Sequence, residues 1–348
     1  MINIVPRKRL NLKDNYTYLN RNMPHEEHPP KIHNALLNFF KKKDLHQYPN
    51  IQKSYEALSE YLKISAEKLL ITRGVEGAIK QVFETFNLKG KTVGILVPTY
   101  AMLHVYAKAY KVNIIPLKSS APDYQITIKQ IKKILPKIKI LFLDNPKFHI
   151  PHCFTHQEIS EIASLCKIHN VILFLDEVYA GWEYKSYLPN INNHDNVIIA
   201  SSFSKSGFPS IKTGWLVTNQ KLKERLETTR LSYELDYFSS QSLEFLIKNS
   251  PYLKIFKKNV LKTKRLWHDT LSKSKRFKVF DSKGYVLRLY SQDVKLVKKT
   301  YNNLYANKIV VNLIDDVNLI FDVSSDTSTQ NIFFKEINEP NKLHTKNT

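Results

Sequence analysis

The chain has 348 residues and a formal net charge of +22 at pH 7, and 43% of its residues are hydrophobic. This length allows one large domain and one smaller domain with a substantial core. The two isolated cysteines exclude a disulfide scaffold and fit no metal-ligand spacing. No apolar run approaches the roughly 18 residues that a membrane-spanning helix needs. The N-terminus lacks the apolar core of a signal peptide, so we expect a cytoplasmic protein without membrane contact.

The positive charge is distributed along the whole chain. It comes mostly from lysines, and we find no long basic tract and no nucleic-acid-binding motif. Such a charge favours association with anionic small molecules. We therefore expect a small-molecule substrate and no nucleic-acid partner.

Between residues 68 and 205, short apolar runs alternate with stretches whose apolar residues recur at helical spacing. The runs that predict strands are "KLLITRG", "TVGILVP", "VNIIPL", "IKILFLDNP", "VILFLDE" and "NVIIASSFSK". The stretches that predict helices are "VEGAIKQVFETFNL", "AMLHVYAKAYK", "IKQIKKIL" and "THQEISEIASLCKIHN". This alternation is typical of an α/β fold with a mostly parallel sheet and helices on both of its faces.

After residue 220 the pattern changes. Residues 220–249 predict one long helical stretch, and "FKVFDSKGYVLRLYS" and "KIVVNLIDDVNLIFDVSS" predict strands of a smaller α+β unit. The polar tail "NEPNKLHTKNT" predicts a frayed C-terminus.

Polar clusters follow five of the predicted strands. They read "TRG", "PTY", "DNP", "DEVY" and "SFSK". Because ligands of open parallel sheets bind at the carboxyl ends of the strands, we expect these clusters to lie along one edge.

Lys205 and Asp176 are the two residues of this edge that suggest a specific chemistry. Lys205 follows a strand in the hydroxyl-rich turn "SSFSKSG", where partial burial and the charge of Lys212 would activate its amine for a Schiff base. Asp176 ends the apolar run "VILFLD", and a buried carboxylate suits the protonated ring nitrogen of pyridoxal phosphate. The alternatives are a solvated lysine and an aspartate that caps the next turn.

The order of these motifs resembles that of the fold-type I pyridoxal-phosphate enzymes of aminotransferase class I/II. The similarity is strongest to the branch of histidinol-phosphate aminotransferase and threonine-phosphate decarboxylase, and it runs from "YLNRNMP" to "DTSTQNIFF". It implies a mostly parallel sheet of the seven-stranded type and pyridoxal 5'-phosphate as cofactor. The implied division is an N-terminal arm (1–40), a large cofactor-binding domain (41–245) and a small C-terminal α+β domain (246–340).

The resemblance also implies roles for the residues at the cofactor ring. Lys205 would form the Schiff base and move protons, and Asp176 would pair with the ring nitrogen. Tyr179 and Asn145 would contact the phenolic oxygen. Tyr100 would stack on the ring, although a core tyrosine near a strand end is an alternative.

A further set would hold the cofactor phosphate, partly through backbone N–H groups at a helix N-terminus. These residues are Gly74, Val75, Glu76, Ser202, Ser204 and Lys212. Tyr48 in "QYPNIQ" matches the tyrosine that reaches the neighbouring subunit's site, which implies a homodimer.

The chain departs from the family pattern at the residues that hold anions. Lys212 stands where the family usually has an arginine on the cofactor phosphate. A lysine cannot form the two parallel hydrogen bonds that a guanidinium makes to a phosphate. No arginine follows Arg288, and an ungapped register places Asp322 where the family clamps the substrate carboxylate. An altered substrate anchor is one interpretation, and a solvent-facing Asp322 is the other. Arg21, on the N-terminal segment, is the candidate for binding an anionic group.

Three hypotheses of function follow. The first is a pyridoxal-phosphate-dependent aminotransferase that acts on a small polar or phosphorylated biosynthetic substrate, with Lys205 as acid and base. The second is a decarboxylase of a phosphorylated amino acid, which the missing arginine favours. The third is a non-catalytic cofactor-binding or nucleic-acid-binding regulator.

Overall fold

The computed structural model describes residues 12–40, 46–147, 150 and 153–338. The first half of this chain forms, in order, β1 (Thr17–Tyr18), α1 (Pro30–Phe40), α2 (Ile51–Leu62), β2 (Leu69–Thr72), α3 (Gly74–Thr85), β3 (Thr92–Val97), α4 (Ala101–Ala109), β4 (Asn113–Lys118), α5 (Ile128–Ile134), β5 (Ile140–Asp144), α6 (His156–Ile168) and β6 (Ile172–Asp176).

The second half of the described chain continues with seven strands and five α-helices. It forms β7 (Val197–Ser202), β8 (Gly214–Val217), α7 (Gln220–Glu227), α8 (Tyr237–Lys248), α9 (Ser250–Leu271), β9 (Lys278–Phe280), β10 (Val286–Tyr290), α10 (Val294–Ala306), β11 (Ile309–Val310), β12 (Asn312–Ile314), β13 (Asn318–Asp322) and α11 (Thr327–Asn338).

The largest sheet has seven strands in the order β2-β8-β7-β6-β5-β3-β4. Its pairs are parallel from β7 through to β4, whereas β8 runs antiparallel to both of its neighbours. The predicted mostly parallel, seven-stranded sheet is therefore confirmed. Its parallel strands place their carboxyl ends at one edge, as the sequence predicts.

Both faces of this sheet are buried, which explains the continuous apolar runs of the strands. In β5, Leu141 and Leu143 pack with residues of α2, α5 and α6, including Ile159. Phe142 packs on the opposite face with residues of α3, α4 and α7, including Val82. Alternate residues of a strand thus enter different cores, and helices cover the sheet on both sides.

A second, antiparallel sheet has the order β12-β13-β10-β9. With α9, α10 and α11 it encloses a separate core around Trp267, Leu289 and Phe333. The N-terminal segment adds to this part, since β1 pairs parallel with β11 and His25 bridges to Ser324. The smaller α+β unit predicted from the sequence is present.

The single helical stretch predicted for residues 220–249 is wrong. The structure has two helices, α7 and α8, separated by residues 228–236. The β-branched Thr228 and Thr229 follow α7, and Asp236 begins α8 by accepting the backbone N–H of Ser239 at 2.9 Å. Apart from Asn338, the tail predicted to fray lies outside the described residues. Within the described ranges, no helix is both long and apolar enough to cross a bilayer.

Candidate active site

The carboxyl ends of the parallel strands surround one cavity of about 160 Å³. Residues that follow β2, β3, β5, β6 and β7 line it, together with Asn22 from the N-terminal segment. We call Gly74, Asp176, Ser204, Lys205 and Lys212 the cofactor rim. The sequence predicted each of these five residues at this site.

Lys205 lies in a short 3-10 turn that follows β7 directly. Its amine is enclosed and donates a hydrogen bond to the backbone carbonyl of Asn22. Burial, helped by the charge of Lys212 and opposed by the carboxylates of Asp322 and Asp176, lowers the pKa of Lys205 to about 8. The alternative of a solvated lysine is wrong.

Asp176 ends β6 and lies beside Asp144, the last residue of β5, in the parallel register. Burial and the neighbouring Asp144 raise the pKa of Asp176 to about 7. A cation placed against Asp176 would offset the free-energy cost of keeping its buried carboxylate ionised. Asp176 also accepts the backbone N–H of Val178 at 3.0 Å, as the turn-capping alternative predicts, and its pairing with the cofactor ring nitrogen stays a prediction.

The N-terminus of α3 forms one end of the cavity. Arg73 provides no side-chain cap, and Gly74 has φ of 67°, a conformation that favours glycine. A Cβ added at Gly214 would lie 2.7 Å from the Cα of Gly74, so β8 and α3 approach without room for a side chain. Exposed helix N–H groups of this kind suit a phosphate.

Side chains complete this anion-binding end. Val75, Glu76, Ser202, Ser204 and Lys212 all line the cavity. The hydroxyl of Ser202 accepts the backbone N–H of Ser204 at 3.3 Å. The resulting turn places both Ser204 and Lys205 at the cavity.

Two of the predicted tyrosines line the cavity. Tyr179 is buried and lines the cavity, and the Lys205 Nζ lies 6.0 Å from its ring centroid. Tyr100 also lines the cavity and donates to the Glu76 carboxylate at 3.2 Å. Since Tyr100 is 41% exposed, the alternative of a core tyrosine is wrong.

Asn145 is not brought into this cavity. Its amide accepts the Phe154 N–H at 2.7 Å and donates to the Phe154 carbonyl at 3.0 Å and the Tyr184 hydroxyl at 2.9 Å. The preceding Asp144 lines the cavity instead and accepts from the Thr99 hydroxyl at 2.9 Å. The side chain of Asn145 thus fixes the following loop, and its contact with the cofactor stays a prediction.

The N-terminal segment and the end of β13 meet beside the Lys205 amine, and of the residues described next only Asn22 lines the cavity. We call Asn22, Met23, His25 and Asp322 the facing wall. Asp322 accepts the Met23 N–H at 3.1 Å and lies 3.6 Å from the His25 Nε2, while its Oδ1 is buried without a hydrogen-bond partner. The alternative of a solvent-facing Asp322 is wrong, since the residue is 0% exposed.

Arg21 and Tyr48 do not line the cavity of their own chain. The guanidinium of Arg21 lies 5.8 Å from the ring centroid of Tyr18. Tyr48 stacks on Tyr233 with centroids 4.4 Å apart. Their proposed roles stay predictions.

The residues present fit pyridoxal phosphate. An enclosed amine, a buried carboxylate and an uncapped helix N-terminus match the aldehyde, ring nitrogen and phosphate of that cofactor. Among the residues that the structure describes, no group of three or more His, Cys, Asp and Glu could hold a metal ion.

Comparison with known proteins agrees with this geometry. The family model for aminotransferase class I and II matches residues 14–318. The histidinol-phosphate aminotransferase of Buchnera aphidicola subsp. Cinara cedri is 28% identical, over 81% of this chain and 79% of the relative. That of Pyrococcus furiosus is 25% identical, over 70% of each.

Solved structures show the same fold. Histidinol-phosphate aminotransferase from Clostridium acetobutylicum superposes with a TM-score of 0.81 at 16% identity, covering 92% of this chain and 98% of the other. The enzyme from Sinorhizobium meliloti, in complex with pyridoxal-5'-phosphate, gives a TM-score of 0.82 at 14% identity, covering 92% and 90%.

Proposed function

Because the chain belongs to the family of class I and II aminotransferases, we propose that Lys205 is the acid and base of its pyridoxal-phosphate-dependent amino-group transfer. The cofactor, when bound, supplies an aldehyde and an electron-withdrawing ring. The observation that carries the proposal is that the Lys205 amine, the Asp176 carboxylate and the N-terminus of α3 line one cavity.

The environment of Lys205 supports a role in proton transfer. A pKa of about 8 leaves an appreciable fraction of the amine neutral near pH 7, so it can accept a proton. The Asn22 carbonyl, which also accepts the Tyr285 hydroxyl at 2.7 Å, orients the amine toward the cavity.

Asp176, Tyr179 and the α3 N-terminus hold the cofactor. Asp176 keeps a proton on the ring nitrogen, and Tyr179 donates to the phenolic oxygen. Gly74 allows the backbone to approach the phosphate, and Lys212 contributes a point charge there in place of a bidentate guanidinium.

The facing wall determines which substrates are accepted. The Asn22 carbonyl and the unpaired Oδ1 of Asp322 are both hydrogen-bond acceptors. A buried acceptor is satisfied by an ammonium or hydroxyl group and disfavours a carboxylate. The substrate is thus a small polar or phosphorylated amine with donor groups near the reacting carbon, and Arg21 binds its anionic group.

The active unit is a homodimer. Tyr48 is 78% exposed and rests on Tyr233, which leaves its hydroxyl available to a second copy of the chain. The proposed domain division is supported by the seven-stranded sheet, which falls within residues 41–245, and by the four-stranded sheet, which falls within residues 246–340.

Replacement of Lys205 tests the proposal. Borohydride reduction of the cofactor-loaded protein should attach the cofactor to the peptide that contains Lys205. In Lys205→Ala this attachment should be absent, and amino transfer should fall by about 10³-fold or more, since proton transfer alone contributes about 10²–10⁴. Attachment at another lysine would refute the assignment.

Product analysis separates the second hypothesis from the first. A decarboxylase would release CO₂ from a phosphorylated amino acid, whereas an aminotransferase would convert a keto acid into an amino acid. The buried carboxyl group of Asp322 keeps the decarboxylase as an alternative, because in its charged form it would destabilise a bound carboxylate, although burial raises the pKa of Asp322.

A further inference from the structure

The long helix α9 carries a row of positive side chains on its exposed face. Lys254, Lys258, Lys262 and Arg265 are exposed and border an open cleft of about 640 Å³, with Lys257 deeper in the same cleft. None of the described residues that line this cleft is acidic. Elsewhere lysines form ion pairs with acids, as Lys298 does with Asp316 at 2.9 Å.

Three acids near this region have partners outside the cleft, and the one on α9 itself, Asp269, lies 3.5 Å from the Nδ1 of His268. Lys264, with 1% of its side chain exposed, lies 2.8 Å from Asp281 and contacts Glu183. Lys264 is one of the lysines of α9 but faces the interior. The negative charge nearby therefore does not compensate the five cations of the cleft.

Two donors at the base of the cleft lack a matching anion. The Lys257 Nζ donates to the Gly181 carbonyl at 3.1 Å and lies 5.4 Å from the Trp182 ring centroid, and burial lowers its pKa to about 8. The Nε1 of Trp182 is buried and has no hydrogen-bond partner. A buried donor without an acceptor costs free energy that a bound ligand would recover.

We infer that this cleft binds a phosphate-bearing anion at a site separate from the active site. Phosphate groups offer several acceptor oxygens and more than one negative charge, and lysines bind them as point charges. Trp182 and Lys257 contact the anion at the base, and the exposed cations of α9 surround it. The inference does not depend on the proposed function.

Trp182 also provides a way to observe binding. Its ring packs edge-on against Tyr285 with centroids 4.8 Å apart, and the Tyr285 hydroxyl donates to the Asn22 carbonyl that Lys205 contacts. An anion on the Trp182 Nε1 should change the emission of this tryptophan. Tyr285 then lies between the cleft and the active site.

The test is calorimetric titration of the cofactor-loaded enzyme with inorganic diphosphate. Loaded enzyme is required because the cofactor phosphate then occupies the N-terminus of α3. We expect one binding site, and Lys258→Ala/Lys262→Ala should weaken binding at least tenfold. The matched control is Lys129→Ala/Lys133→Ala on α5, which removes the same charge from exposed positions at the same spacing and should leave affinity unchanged.

Trp182→Phe keeps the aromatic packing but removes the donor, so it should weaken binding several-fold and abolish the emission change. The inference is overturned if wild type shows no saturable binding, or if the two double variants lose affinity equally, which would reflect net charge alone. It is also overturned if an oligonucleotide binds at the α9 lysines far more tightly than diphosphate. Comparison of diphosphate with a nucleoside diphosphate shows whether inorganic or organic phosphate is preferred.

Discussion

The cofactor rim lines the cavity, whereas the facing wall is buried behind it and, among its four residues, reaches the cavity only at Asn22, whose carbonyl accepts from the Lys205 amine. The rim offers an amine, helix N–H groups and the positive charge of Lys212, all suited to an anionic cofactor. The wall offers the Asn22 carbonyl and the unpaired carboxylate oxygen of Asp322. We expect the rim to determine cofactor chemistry and the wall to influence substrate choice, with Asp322 also acting on the pKa of Lys205.

The strongest test of this separation is Asp176→Asn on the rim. An amide cannot hold a proton on the ring nitrogen, so amino transfer should fall by about 10²–10³-fold for every substrate, as when one electrostatic partner is lost from a site. Initial rates with several amines would measure this. If the fall in the rate of amino transfer differs strongly between substrates, the rim also contributes to substrate selection, and the proposed division of roles between rim and wall is wrong.

Asp322→Asn tests the wall and should have an effect of about tenfold, corresponding to about one pKa unit of interaction. The carboxylate of Asp322 raises the pKa of Lys205, so its removal should lower that pKa below about 8. The pH dependence of chemical labelling of Lys205 in cofactor-free protein measures the shift. The ratio of kcat/KM for an α-amino acid to that for the corresponding amine should rise.

Asp322→Asn can be controlled for both local structure and net charge. The amide oxygen introduced by Asp322→Asn can still accept the Met23 N–H, so the N-terminal segment should stay in place. Asp14→Asn removes the same charge from an exposed position and should change neither the labelling nor the ratio. An unchanged ratio in Asp322→Asn would show that the wall does not select substrates.

The rim was predictable because its residues follow apolar strands closely in sequence. Lys205 comes three residues after the end of β7, and Asp176 is the last residue of β6. The same logic extends to Asp144, which the prediction missed. Both β5 and β6 read "ILFLD", and parallel pairing sets Asp144 beside Asp176, so the repeated pentapeptide was the available signal.

The wall depends on contacts that local patterns do not encode. The bond from the Met23 N–H to Asp322 joins residues 299 positions apart. The Asn22 carbonyl is a backbone group, so residue type says nothing about its role. The hydrogen bonds of the Asn145 amide with Phe154 and Tyr184 were unpredictable for a related reason, since only the folded loop brings these groups near.

Gly214→Ala should disturb the rim through packing alone. The new Cβ would lie 2.7 Å from the Gly74 Cα and 2.8 Å from the Ser201 carbonyl oxygen, both of them backbone atoms that cannot rotate away. We expect a loss of about 1–3 kcal/mol in the free energy of unfolding, typical of an overpacked site. Cofactor affinity should fall as well.

Gly77→Ala is the matched control within α3. Its Cβ would meet the Arg73 Cβ at 3.4 Å, an ordinary contact, and an alanine inside a helix should add up to about 1 kcal/mol of stability relative to glycine. Denaturant unfolding of both variants checks the contrast. Equal effects would show that the close approach of β8 and α3 is unimportant.

The smallest effect is expected at His28, which ties the N-terminal segment to the turn that carries Lys205. Its Nε2 donates to the Gly207 carbonyl at 2.7 Å, its Nδ1 accepts from the Tyr252 hydroxyl at 2.7 Å, and the ring stacks on Phe208. Burial lowers the pKa of His28 below 6.5. The folded state thus disfavours the protonated ring.

The sign of the pH dependence follows from that depressed pKa. Above pH 6.5 the His28 ring is neutral in the folded and the unfolded state, and its hydrogen bonds contribute fully to the free energy of unfolding. As the pH falls below 6.5, the unfolded state binds the proton first, so the free energy of unfolding declines. In His28→Gln this decline should be shallower, so the difference in Tm from wild type should shrink between about pH 7.5 and about pH 5.5. His104→Gln, at an exposed position of α4, should follow wild type throughout. A constant difference in Tm across this range would mean that His28 stabilises the segment by packing alone, independent of its charge.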